Sequence, residues 1–136
     1  MRVSVCIDDL GGMMFNCRRV SRDREVIADI CRDAEGGRLY SSEYSSSLFA
    51  EAELQPICDA DFLNKAGDND LCFVEGDALI PYLSKITELT VYKWNRRYPS
   101  DLKLDIDPEK FGFKLTSVRE FAGYSHEKIT KEVYTK

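Results

Sequence analysis

Arg2-Val3-Ser4-Val5-Cys6-Ile7-Asp8-Asp9-Leu10-Gly11-Gly12 alternates apolar Val3, Val5 and Ile7 with Ser4 and Cys6, then breaks into acids and glycines. A period of two predicts a buried strand that ends in a loop. Downstream, Ser21 is the expected helix cap, and Asp23 and Glu25 fall at the positive end of the helix. Val26, Ile27, Ile30, Cys31 and Ala34 share one helical face, and Gly36-Gly37 stops the helix.

Further elements follow the same logic. Residues 38–42 form a candidate second strand, and the serines of 41–47 cap a short helix holding Leu48 and Phe49. Asp59 or Asp61 caps another short helix with Phe62, Leu63 and Ala66. Leu71-Cys72-Phe73-Val74 has the short apolar pattern of a central parallel strand. Asp77 opens a helix through Leu79, Ile80, Leu83 and Ile86, with Pro81 tolerated in its first turn. Residues 88–94 are the clearest strand, and 103–106, 111–116 and 129–134 are the remaining strand candidates. Helices separate the first four strands, which therefore run parallel with right-handed crossovers. The last strands have no helix between them and pair antiparallel. The expected architecture is one α/β domain over residues 1–136, a mixed, mainly parallel twisted sheet with antiparallel C-terminal strands and the first strand central.

Composition excludes several functions. No apolar run approaches the ~20 residues that span a bilayer, so no membrane role is expected. The first apolar run stops at Asp8-Asp9 without a small-residue cleavage site, which argues against a secretory signal. Five cysteines form no Cys-x-x-Cys pair and read as reduced thiols of a cytoplasmic protein. With a single histidine and scattered cysteines there is no metal-ligand spacing. A net charge of −5 disfavours RNA and other polyanions. The charge is uneven, however: Arg18, Arg19, Arg22 and Arg24 cluster early, and Lys93 and Arg96 flank Trp94.

Those arginines are the candidate anion site. Guanidinium forks suit phosphate or carboxylate, and a helix start at Ser21 adds backbone N–H groups. Lys93 or Arg96 stands as the opposite wall, and Trp94 and Tyr98 could stack a base. The alternative is that the arginines pair with acids such as Asp8, Asp9 and Asp101, with Trp94 capping the core. Asp23 is a candidate general acid if burial raises its pKa, or else a helix-end carboxylate steadied by Arg22 or Arg24. His126 is a candidate base; a Ser-His-Asp arrangement would have to use it, without a Gly-x-Ser-x-Gly elbow to place the serine.

The stretches Gly12-Met13-Met14-Phe15-Asn16-Cys17-Arg18-Arg19-Val20-Ser21-Arg22-Asp23-Arg24, Tyr92-Lys93-Trp94-Asn95-Arg96-Arg97-Tyr98-Pro99-Ser100-Asp101 and residues 123–134 resemble a family of short bacterial proteins often labelled ribonuclease Z. The zinc chemistry that label denotes needs several imidazoles, and this chain has only His126. The order of elements is similar to that of dihydrofolate reductase: an opening strand, a loop with Gly11-Gly12-Met13, a helix carrying Asp23, the block 71–106 and a final hairpin. That resemblance implies a carboxylate supporting pterin protonation, where Asp23 stands among arginines. It also implies a phosphate-recognising segment after the second strand, here Ser41-Ser42-Glu43-Tyr44, and a Gly-Gly pair after the central strand, here Val74-Glu75-Gly76-Asp77. Glu43, Glu75 and Asp77 oppose a cofactor's phosphates, so no nicotinamide cofactor is expected.

Two functions stand. The first is a binding or regulatory module of dihydrofolate reductase-like fold that has lost its nicotinamide site and takes a small phosphate-bearing ligand or nucleotide on its arginines. The second is a divergent enzyme, reductase-like or RNA-processing, that uses the pocket near Asp23.

Overall fold

The computed structural model describes residues 1–136. The alternating opening forms β1 (Arg2–Ile7), and the glycine-led stretch after it forms β2 (Gly12–Phe15) and β3 (Arg18–Arg19). The helical pattern gives α1 (Arg24–Asp33), followed by β4 (Leu39–Ser41), α2 (Glu43–Ser46) and β5 (Ile57–Cys58). Then come α3 (Phe62–Lys65), β6 (Leu71–Phe73), β7 (Glu88–Lys93) and β8 (Leu102–Lys103). β9 (Lys114–Phe121) and β10 (Ile129–Thr135) close the chain.

The main sheet has the order β5-β4-β6-β1-β7-β10-β9, with β1 in the middle. The first five of these run parallel, β10 is antiparallel to β7, and β9 is antiparallel to β10. This is the expected mainly parallel sheet with an antiparallel C-terminal hairpin. No helix is long and apolar enough to cross a membrane.

Pleating divides the core in two. Val3, Val5, Cys72, Val74, Leu89 and Val91 point to one face, where Met13, Met14, Phe62, Leu63, Leu79 and Ile86 cover them. Leu39, Leu71, Phe73, Tyr92 and Trp94 point to the other, against Val26, Ile27, Ile30 and Ala34 of α1 and against Phe49. Burying each such aliphatic side chain stabilises the fold by roughly 1.5–3 kcal/mol before entropy is counted.

Several local expectations change. The glycine loop after β1 is not featureless: β2 and β3 make a hairpin closed by Asn16 and Cys17, both at positive φ (51° and 62°). That geometry suits a two-residue hairpin turn. β8 (Leu102–Lys103) adds to this hairpin to make a separate three-stranded sheet and overlaps the expected strand at 103–106 only at Lys103. The helix expected from Asp77 is only a 3-10 turn, Ile80–Tyr82, with the tight bonds Tyr82 N to Leu79 O and Leu83 N to Ile80 O. Asp105 captures the Leu79 and Ile80 N–H groups (2.9 Å and 3.0 Å), fixing that tight start. The edge strand expected at 111–116 lies later, because most of β9 is exposed and carries no alternating apolar signal.

Candidate functional site

The chain enters α1 through Ser21-Arg22-Asp23, and Asp23, not Ser21, is the cap. Asp23 sits in extended backbone (φ −154°, ψ 129°) and its carboxylate accepts the Glu25 N–H at 2.9 Å. The connection between β9 and β10 folds over the same carboxylate. It supplies the N–H groups of Tyr124 and Ser125, each at 2.8 Å, and His126 Nδ1 at 2.9 Å. The carboxylate is fully buried. Burial alone would raise its pKa, but the His126 bond and then the three backbone N–H bonds outweigh it and hold Asp23 down at about 2. Asp23 is therefore ionised at neutral pH, and the raised pKa that a general acid would need is not found. Neither Arg22 nor Arg24 steadies it; both are exposed, and Arg24 lies over the Tyr124 ring instead.

His126, the candidate base, is buried. Its ring stacks on Trp94 with centroids 4.6 Å apart and planes 22° from parallel. With Nδ1 on Asp23, Nε2 faces the Ser21 hydroxyl at 2.9 Å and the Tyr98 hydroxyl at 3.2 Å. Tyr98 OH also lies 3.3 Å from Ser21 Oγ and donates to it. With Nδ1 carrying the proton, the hydrogen bonds form one directed chain: Tyr98 to Ser21, Ser21 to His126, His126 to Asp23. Gly123 permits this closure. A Cβ there would lie 2.6 Å from Asp23 Oδ2 and 2.9 Å from the His126 carbonyl.

Ser21, Asp23 and Trp94 line a recess whose far wall is Cys6, Phe73 and Glu75. Its free volume is about 10 Å³, room for about one water and no more. Glu75 is tied down by Arg19, through Nε at 2.8 Å and Nη2 at 3.0 Å, and by the buried Ser45 hydroxyl at 2.8 Å. Burial, and then the charge of Glu75, pushes the Cys6 thiol well up, so it is no thiolate nucleophile.

The expected cationic cleft is not assembled from the whole set. Arg19 is committed to Glu75 and lies over Tyr44. Lys93 pairs with Glu132 at 3.0 Å, and Trp94 is buried under His126 and has no free face for a base. Arg18, Arg22 and Arg96 are exposed, and none of Arg18, Arg22, Arg24 or Arg96 forms an ion pair. Two of the three acids proposed as their partners are used elsewhere: Asp8 accepts the N–H groups of Leu10, Gly12 and Tyr98, and Asp101 accepts that of Asn16. A wider surface hollow of about 460 Å³ carries Arg97 and Lys103 beside Tyr98. No group of three or more His, Cys, Asp or Glu residues is placed to hold a metal ion.

Sequence reasoning missed a second buried carboxylate. Asp29 accepts Tyr92 OH and Arg119 Nη2, each at 2.6 Å, and Lys131 Nζ lies 2.7 Å away. The signal was present, because Asp29 lies on the same helical face as Val26 and Ile30, where a lone acid demands a partner.

No family model matches the chain, and no curated protein matches it. Among solved structures it is similar to dihydrofolate reductase from Enterococcus faecalis, in complex with NADP(H) and RAB-propyl. The TM-score is 0.67 at 6% identity, over 98% of this chain and 94% of that one. The fold is dihydrofolate reductase-like. An identity so low speaks for the scaffold alone, and the site contents come from this chain's own residues.

Proposed function

We propose that the chain is a binding or regulatory module on a dihydrofolate reductase-like scaffold. It does not use a nicotinamide cofactor, and it takes a small phosphate-bearing ligand or nucleotide on its exposed arginines. The observation that carries this reading is the Glu75 cluster. Ligands of open α/β sheets enter at the carboxyl ends of the parallel strands, and Glu75 follows β6 at that edge. The similar reductase is a complex with NADP(H). A diphosphate brought to Glu75 here would meet a carboxylate, and Arg19, which touches it, already commits its Nε and Nη2 to that carboxylate.

Two further features support the same reading. Gly76, beside Glu75, has the space beyond its Cα filled by Met14 Sδ, 2.5 Å from where a Cβ would stand. Asp23, where a reductase-like enzyme would need a proton relay to its substrate, is ionised and has its oxygens occupied by protein donors. Of the four early arginines, Arg18 on β3 and Arg22 and Arg24 at the entry to α1 form no ion pair.

A thermal-shift screen against inorganic phosphate, nucleoside phosphates, pterins, NADPH and short RNA tests the proposal. A nucleoside phosphate should raise the melting temperature, and Arg22→Ala should weaken its binding by ~1–3 kcal/mol if the contact is charge-assisted. Arg97→Ala should leave it unchanged. Stabilisation by NADPH, or by none of the phosphates, would overturn the proposal.

A further inference from the structure

Ser21, His126 and Asp23 are aligned as a nucleophile, a base and an orienting carboxylate. The two heavy-atom distances are both 2.9 Å, from Ser21 Oγ to Nε2 and from Nδ1 to Asp23 Oδ2. Such a constellation is recognised by geometry and roles, whatever the fold or chain order. Four features exceed what a simple tether between hairpin and helix requires. The imidazole is held in one orientation by the Trp94 stack, so Nε2 is aimed at a hydroxyl. Asp23 is kept ionised by protein donors, the state that stabilises an imidazolium as it forms. Ser21 is only half-buried, unlike the other two, so its oxygen sits at the boundary with solvent. The N–H groups of Arg22 and Asp23, directly after the serine, make no hydrogen bond within the chain and are free to meet an oxyanion.

We propose that Ser21 is a nucleophile for acyl transfer from small carboxylic esters, with His126 as its base and Asp23 as the group that orients and balances the imidazole. Ser21 Oγ bonds to the ester carbonyl carbon while its proton passes to His126 Nε2. The tetrahedral adduct collapses, the carbon–alkoxy bond breaks, and the leaving alcohol takes the proton from Nε2. Water then attacks the acyl-serine and gives a proton to Nε2, which returns it to Ser21 Oγ as the carboxylic acid leaves. Ester and water go in; acid and alcohol come out. Tyr98 is a positioning residue whose hydroxyl donates to Ser21 Oγ and turns the serine proton toward the imidazole.

The substrate must be small and approach from outside, since the recess behind Ser21 has room for about one water. This activity is independent of the phosphate-binding reading, and either can fail without the other.

The test uses the full chain with p-nitrophenyl acetate and with a fluorophosphonate probe, read by intact mass and peptide mapping. The expected result is a single adduct on Ser21 in the folded protein, abolished by prior unfolding in urea and absent in Ser21→Ala. Ester turnover should fall at least 100-fold in Ser21→Ala and in His126→Gln, and less than 10-fold in Tyr98→Phe. Mapping the wild-type protein decides the matter even if a variant fails to fold. No adduct, an adduct on another residue, or ester turnover in Ser21→Ala equal to wild type would overturn the proposal.

Discussion

His126 Nδ1 lies 2.9 Å from Asp23 Oδ2 although the two residues are 103 positions apart, and both side chains are all but sealed from solvent. This contact pins the C-terminal hairpin to the start of α1 and sets the geometry of everything near Ser21.

Acid should loosen this lock first. Asp23 and Asp29 are both held down at about 2, against an ordinary value near 3.8. For Asp29 burial again opposes the shift, and the Lys131 bond followed by Tyr92 overcomes it. A depressed carboxylate contributes stability that is present above its unfolded pKa and lost as pH falls through its folded value. The window is therefore from roughly pH 4 down to roughly pH 2, and each group accounts for about 2 kcal/mol. Urea titrations across that range should show the loss, and Asp23→Asn should flatten the dependence by about half.

Removing His126 leaves a buried carboxylate short of a donor and an empty space against Trp94. His126→Ala should destabilise the fold by about 3–5 kcal/mol, the cost of stripping one partner from a buried pair. Trp94 is the single tryptophan, so its emission reports the loss of the stacked ring directly. An unchanged spectrum in a folded variant would contradict the packing described.

Gly123→Ala should cost about 1–3 kcal/mol. The new methyl would press on the Asp23 carboxylate, on Ile129 Cδ1 at 2.8 Å and on the His126 carbonyl, and the last of these is backbone that cannot swing aside. Amide exchange in the 122–127 connection should accelerate more than exchange in β1, and equal exchange would count against a local strain.

At Asp29 the partners should differ sharply. Asp29→Ala leaves the buried Tyr92 hydroxyl without its acceptor and Lys131 with Asp33 alone, and should cost about 1–3 kcal/mol. Arg119 is half exposed (49%), so Arg119→Ala should cost under ~1 kcal/mol. Chemical denaturation of the two variants measures the contrast.

What could be read from the sequence was local or periodic. Val3, Val5 and Ile7 placed β1, the Val26-Ile27-Ile30 stripe placed α1, and helix-separated strands gave the parallel sheet. What escaped was set by distant partners. Ser21 and Asp23 are both good caps, and the choice between them was made by His126, which takes the serine hydroxyl and leaves Asp23 to bind Glu25 N–H. Arg19 belonged to the visible cluster, yet its partner Glu75 lies 56 residues on, where the chain leaving β6 of the main sheet meets β3 of the small one. The spacing of Leu79, Ile80, Leu83 and Ile86 is helical, but Asp105 claims the N–H groups that begin the turn. The candidate site was thus present residue by residue, with Asp23, His126 and Arg19 all visible, but its wiring was not.

The proposed function rests on closure, by Glu75 and Arg19, of the edge where a dinucleotide phosphate would approach. Isothermal calorimetry of the wild-type chain with NADPH tests it most directly. No binding in the micromolar range is expected, alongside measurable heat from a nucleoside phosphate that falls in Arg22→Ala. Stoichiometric micromolar binding of NADPH would contradict it.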